Sequence, residues 1–207
     1  MEPSQRIVLA SSSRWRRQML VDAGVECEAV DSGLDESKFS SQRPEDLALI
    51  LAREKAKRVQ ALRPDAIVIG ADQVAFNEDG SFGKPRDPED HLKRLLSLRG
   101  RTHVLTTGVV LLGPGVDEEI SVNTGIVFRS DLTRSELQAY VNSGEGAGCA
   151  GGYQIEGRGA WLIERVEGDW FNVVGLPVLE VVSVLRRLGW QMGAPVGPRL
   201  AEAGPGV

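Results

Sequence analysis

A carboxylate placed where a buried strand ends can hold a cation or take a proton from water, and Asp72 stands in such a place. It follows the apolar run Ala66-Ile67-Val68-Ile69-Gly70 inside the segment Gly70-Ala71-Asp72-Gln73-Val74. A turn-forming aspartate suits the same spot. Groups that suit phosphate occur in other segments. Ser11-Ser12-Ser13-Arg14-Trp15-Arg16-Arg17 joins a first strand to a first helix, so its hydroxyls, free amides and guanidinium forks could cradle an anion. Plain N-capping with solvated arginines explains that segment equally well. Gly83-Lys84-Pro85 offers close backbone approach and a point charge, or simply an exposed lysine. On the helix that starts at Pro44, a count of about 100° per residue from Leu47 sets Lys55 between Leu51 and Val59, inside the apolar stripe. A cation there meets an anion or snorkels to water. Arg58 falls on the same side, so the count does not choose between them. Glu36, in Leu34-Asp35-Glu36, is the remaining acidic candidate and taken alone reads as surface charge.

The elements that would position these groups alternate between strand and helix in the first half of the chain. Arg6–Ala10 reads as a short buried strand, followed by a polar loop and a helix that stops at Gly24. Glu26–Asp31 reads as a second strand and Pro44–Leu62 as a helix with Leu47, Leu51, Val59 and Leu62 on its apolar face. Ala66–Gly70 is a third strand, after which the chain is expected to leave the sheet. Asp87 and Pro88 supply an N-cap and a first-turn proline for a helix to about Leu98. The second half is richer in strands. His103–Leu112 and Glu119–Arg129 read as a pair turned at Gly113-Pro114-Gly115. Thr133 and Glu136 form a capping-box pattern for a helix stopping near Gly144. Trp161–Val166 and Phe171–Val174 read as strands around the turn Glu167-Gly168-Asp169, and a last helix spans Pro177–Leu188. The fold class is α/β with a mixed sheet. Residues 1–190 are expected to form one domain, and the Gly/Pro-rich segment 191–207 a flexible tail.

Composition narrows the function classes. A net charge of −5 repels a nucleic-acid backbone, so no nucleic-acid partner is expected, while local cations still permit a small polyanion. His91 and His103 lack ligand spacing, which argues against a histidine-rich zinc site and leaves a hard cation on oxygen donors. No apolar run approaches the roughly 20 residues of a membrane span. The start Met1-Glu2-Pro3-Ser4 lacks a secretory pattern, and Cys27 with Cys149 cannot make a disulfide framework. A reduced, cytoplasmic setting is expected.

Taken in order, Leu9-Ala10-Ser11-Ser12-Ser13, Arg16, Asp35-Glu36, Arg53-Glu54-Lys55-Ala56, Gly70-Ala71-Asp72, Gly83-Lys84-Pro85 and Val173-Val174-Gly175-Leu176-Pro177 resemble the Maf family of nucleotide pyrophosphatases. The resemblance spans roughly residues 6–188. It implies an elongated mixed sheet flanked by helices, with a central cleft between two lobes, of the Maf/inosine triphosphatase-like kind. It implies a nucleoside triphosphate as the small-molecule substrate, cut between its α and β phosphates. It also implies a divalent cation, Mg²⁺ or Mn²⁺, bound near Asp72 and Glu36. Asp72 matches the family's catalytic carboxylate and Glu36 a second acidic residue near metal and water. Ser11, Arg16, Lys55 and Lys84 match positions that bind the triphosphate, which selects Lys55 over Arg58.

Trp15, Gln73 and Glu156 stand where the family's substrate branches differ. The branch acting on dTTP and UTP usually has Arg, Thr and Gln there, whereas Trp, Gln and Glu look like the 7-methyl-GTP branch, as does Cys149-Ala150-Gly151. A positively charged methylated base would stack on Trp15, and Glu156 would accept hydrogen bonds from its N1 and exocyclic amine. Arg14 stands where the family usually has proline. Two alternatives stay open: a dTTP/UTP pyrophosphatase, and a nucleotide-sensing inhibitor of cell division without significant hydrolysis. A homodimer is a possible assembly.

Overall fold

The computed structural model describes residues 6–192. A seven-stranded sheet has the order β2-β1-β3-β5-β6-β7, with β4 pairing on β3. β1 (Ile7–Ala10), β2 (Glu28–Ala29) and β3 (Ile67–Asn77) run parallel, while β4 (Gly80–Phe82), β5 (Thr102–Gly113), β6 (Val116–Phe128) and β7 (Ile163–Glu167) add antiparallel pairs. The fully buried runs of β1 and the first half of β3 follow from helices on both faces. Val8, Ala10, Val68 and Val110 face α2 (Pro44–Leu62). Ile7, Leu9, Ile67, Ile69, Val109 and Leu111 face the other way, toward Leu20 of α1 (Arg14–Asp22) and Val181, Val184 and Leu185 of α6 (Val178–Arg187). The strand period of two sorts these residues between the two layers.

A second core gathers at the far ends of β3, β5 and β6. There Ala75, Leu105, Ile126 and Phe128 pack with Leu92, Leu95 and Leu98 of α3 (Pro88–Leu98) and Leu137, Tyr140 and Val141 of α4 (Arg134–Asn142). The long central strands thus carry two cores in succession, and the cleft opens between these lobes. The expected caps are present: Asp87 on α3, and a complete Thr133–Glu136 capping box on α4.

Four expectations are corrected. The chain does not leave the sheet after Gly70, since β3 continues to Asn77 and holds Asp72 and Gln73 within the strand. Its second half pairs along β5, from Asp72 opposite Gly108 to Phe76 opposite Val104, so polar side chains that face the cleft do not end it. Phe171–Val174 is helical, inside α5 (Trp170–Val174). Asp169 caps that helix by accepting from Phe171 N at 2.8 Å, and Gly175, at φ 122°, stops it. The apolar face of α2 is made of Ala48, Leu51, Ala52, Ala56 and Val59, with Leu62 61% exposed. Trp161 closes a 3-10 turn, Arg158–Trp161, rather than opening β7. Residues 193–207 of the expected tail lie outside the described residues.

Candidate active site

The site begins with how closely α2 lies on the sheet. Gly70 on β3 and Gly108 on β5 face the helix, and a Cβ at Gly70 would stand 2.9 Å from Ala56 N, one at Gly108 2.6 Å from Leu49 N. Neither distance is tolerable, so helix and sheet meet backbone to backbone along Ala48, Ala52 and Ala56. Arg53 fastens the outer side by ion pairs to Asp117 at 2.6 Å and Glu119 at 2.8 Å on β6. This seating brings Lys55 against Asp72. Lys55 Nζ donates to Asp72 Oδ1 at 2.5 Å and pairs with Glu36 Oε1 at 2.6 Å. Arg58 turns outward to the carbonyl of Gly33, so the lysine alone enters the site.

Lys55 and Asp72 are buried, whereas Glu36 reaches them from an exposed 3-10 turn, Glu36–Lys38. Burial raises the Asp72 pKa above its ordinary 3.8, outweighing the opposing pull of Lys55 and Arg16, and the Glu36 charge adds to the rise. A carboxylate so placed is a stronger proton acceptor than an exposed one. Arg16 is held beside it: Nε donates to the Gly175 carbonyl at 2.8 Å, and Nη1 to the Ala71 carbonyl at 3.0 Å and Ser11 Oγ at 3.3 Å. Burial lowers the Arg16 pKa against the raising influence of Asp72 and Glu36. An arginine keeps its proton through such a shift.

A cleft of about 670 Å³ opens over this cluster. All the sequence candidates line it except Ser11, which lies beneath as an anchor for Arg16. Lys84 projects from the loop after β4 as an exposed cation. Asp72 and Glu36 approach the Lys55 ammonium from two sides and offer the hard oxygen donors that Mg²⁺ or Mn²⁺ prefers. Among the described residues no group of three or more His, Cys, Asp or Glu could hold a metal unaided. The donor set therefore fits a cation completed by substrate phosphate and water, the usual arrangement for Mg²⁺.

Trp15, Gln73 and Glu156 also come together in the cleft. Trp15, half-buried, sits in the first turn of α1 with the Arg14 guanidinium stacked on its ring, 4.5 Å from the centroid. Glu156 is exposed on the loop before the Arg158–Trp161 turn. Gln73 is tied down, its Nε2 donating to Thr107 Oγ1 at 3.0 Å and to the Asn172 carbonyl at 2.6 Å, so its Oε1 is the amide atom left free. Sequence reasoning missed Asn172, which is fully buried and donates through Nδ2 to the carbonyls of Leu105 and Val122 and to Thr124 Oγ1. It locks α5 to β5 and β6, and with it the Gly175 carbonyl that holds Arg16. An asparagine inside the apolar run Phe171-Asn172-Val173-Val174, between a capping Asp169 and Gly175, was the available signal. Gln154 and Tyr153 of the opposite lobe line the cleft as well.

Residues 6–188 match the family described as Maf-like protein. The dTTP/UTP pyrophosphatase of Geobacillus sp. (strain WCH70) is 40% identical over 90% of this chain and 100% of its own length. That of Deinococcus radiodurans is 41% identical over 91% of this chain and 95% of its own length. The 7-methyl-GTP pyrophosphatase of Mesorhizobium japonicum is 38% identical over 90% of this chain and 98% of its own. With the match running from the first strand to the end of the last helix, the chain belongs to the Maf family of nucleoside triphosphate pyrophosphatases.

Proposed function

We propose that this protein hydrolyses 7-methyl-GTP, and also other modified or pyrimidine triphosphates, to the monophosphate and pyrophosphate. The observation that carries the reading is the buried Lys55–Asp72 pair with Glu36, in a cleft that Trp15 and Glu156 also line. A water oxygen bonds to the α phosphorus, the bond from that phosphorus to the bridging oxygen of the β phosphate breaks, and Asp72 takes the water's proton. Its raised pKa suits that task. Arg16 and Lys84 hold the departing phosphates, and Lys55 turns its charge toward the phosphoryl oxygens. Asp72 and Glu36 would hold a divalent cation, which would supply charge neutralisation as pyrophosphate leaves. Trp15 stacks the base, Glu156 accepts from its N1 and exocyclic amine, and Gln73 Oε1 is a further acceptor in the cleft.

A second reading, dTTP and UTP as the main substrates, is favoured by the printed names of the Geobacillus and Deinococcus relatives. Pyrophosphate release measured with Mg²⁺ or Mn²⁺ on 7-methyl-GTP, GTP, dTTP, UTP and CTP separates the two. Preference for 7-methyl-GTP over GTP, lost in Asp72→Asn, supports the first. Preference for dTTP or UTP keeps the chemistry and discards the assignment of the base. No release from any of them favours the nucleotide-sensing alternative.

A further inference from the structure

The first turn of α1 contains Arg14, Arg16 and Arg17 and no acidic residue, so its positive charges stand at the positive end of the helix dipole. That placement works against the helix. Arg16 is accounted for by its carbonyl partners. Arg14 makes no hydrogen bond or ion pair among the described residues; its guanidinium carbon lies over the Trp15 ring, and both residues line the cleft. Across the same cleft Glu156 is exposed and also unpaired among the described residues.

We infer that Arg14 is a specificity-determining residue, which sets a positive charge at the base end of the cleft and disfavours a base that is itself positively charged. The inference rests on the base occupying the Trp15–Glu156 end. One aromatic ring has one quadrupole. A guanidinium already on its face lowers what a cationic base gains on the other face, and the two positive charges repel across the ring. A neutral base meets no such repulsion and stacks in a guanidinium–indole–base sandwich. Arg14 therefore narrows the margin by which a 7-methylguanine is bound over guanine, and Glu156, which lines the same cleft, offsets that narrowing in part.

The test compares GMP and 7-methyl-GMP as competitive inhibitors of whichever nucleotide the protein hydrolyses fastest. It is run at a pH where the methylated base keeps its N1 proton and its charge. Arg14→Gln removes the charge, Arg14→Lys keeps it, and Arg17→Gln removes a charge of the same turn that does not line the cleft. The expected result is that Arg14→Gln raises the ratio of the GMP to the 7-methyl-GMP inhibition constant about five- to tenfold. Arg14→Lys and Arg17→Gln leave it near the unsubstituted value. An unchanged ratio in Arg14→Gln, or equal shifts in the Gln and Lys variants, overturns the inference. Should the unsubstituted protein prefer UTP while the ratio still shifts, the 7-methyl-GTP reading fails and the role of Arg14 stands.

Discussion

In one part of the site, Lys55 and Asp72 project from the middle of a long helix and a central strand, buried and bonded to each other, with Arg16 pinned by two carbonyls. In another, Trp15 and Arg14 sit in the first turn of a helix and Glu156 on a loop, Trp15 half-buried and the other two exposed. The first arrangement holds its charges through bonds between regular elements. The second lets side chains change without disturbing the backbone. Relatives named for different nucleotides share about two-fifths of their residues with this chain. The first group is tied to regular elements of the fold, and the second is set by the identity of a few side chains near the surface.

The sharpest break of this comparison is Asp72→Asn, expected to lower turnover about 10³-fold or more with no loss of folding. Turnover in Asp72→Asn within a few-fold of the parent would remove Asp72 as the proton acceptor. Next comes Gly108→Ala, whose Cβ would stand 2.6 Å from Leu49 N; a destabilisation of about 3 kcal/mol is expected, read as a lower Tm. A variant as stable as the parent would show that the helix can lift from the sheet.

The lobe built on α3 and α4 has its own weak point. His103 is buried among Phe82, Phe128 and Tyr153, with Nε2 2.9 Å from the Tyr153 hydroxyl, and burial lowers its pKa from 6.5 to about 4. The unfolded chain takes up a proton below pH 6.5 that the folded imidazole refuses until about 4. The stability from the neutral form is full above the upper value and is lost as pH falls between the two, by about 3 kcal/mol at most. Denaturant titrations across that range should show the loss, and His103→Phe should remove it. The smallest effect is expected from Trp15→Arg, about tenfold in kcat/KM for 7-methyl-GTP and less for UTP. Equal losses for both substrates would end the stacking assignment.

Much of this was legible in sequence. Caps at Asp87 and Thr133 and the breaker at Gly24 bound helices because they act locally. The ordered motifs singled out residues that the fold does bring into one cleft. What was lost depended on partners distant in the chain. β3 looked finished at Gly70 because its next residues are polar, yet their surroundings come from β5 and the cleft. Lys55 and Arg58 share a helical side by angle, and only the seat at Gly70 and Gly108 decides which one is covered. Val173 and Val174 carry strand propensity, which Asp169, Gly175 and the buried anchor Asn172 override.

The bare contact of α2 with the sheet also bears on how new nucleotide preferences could arise. With no side chains between Gly70, Gly108 and the helix, there is little compliant material to relay a disturbance toward Lys55 and Asp72. Libraries randomised at Arg14, Trp15 and Glu156 would then explore bases against a reaction centre that stays constant. On the proposed reading, substrate choice becomes a separable trait, free to drift while hydrolysis is retained.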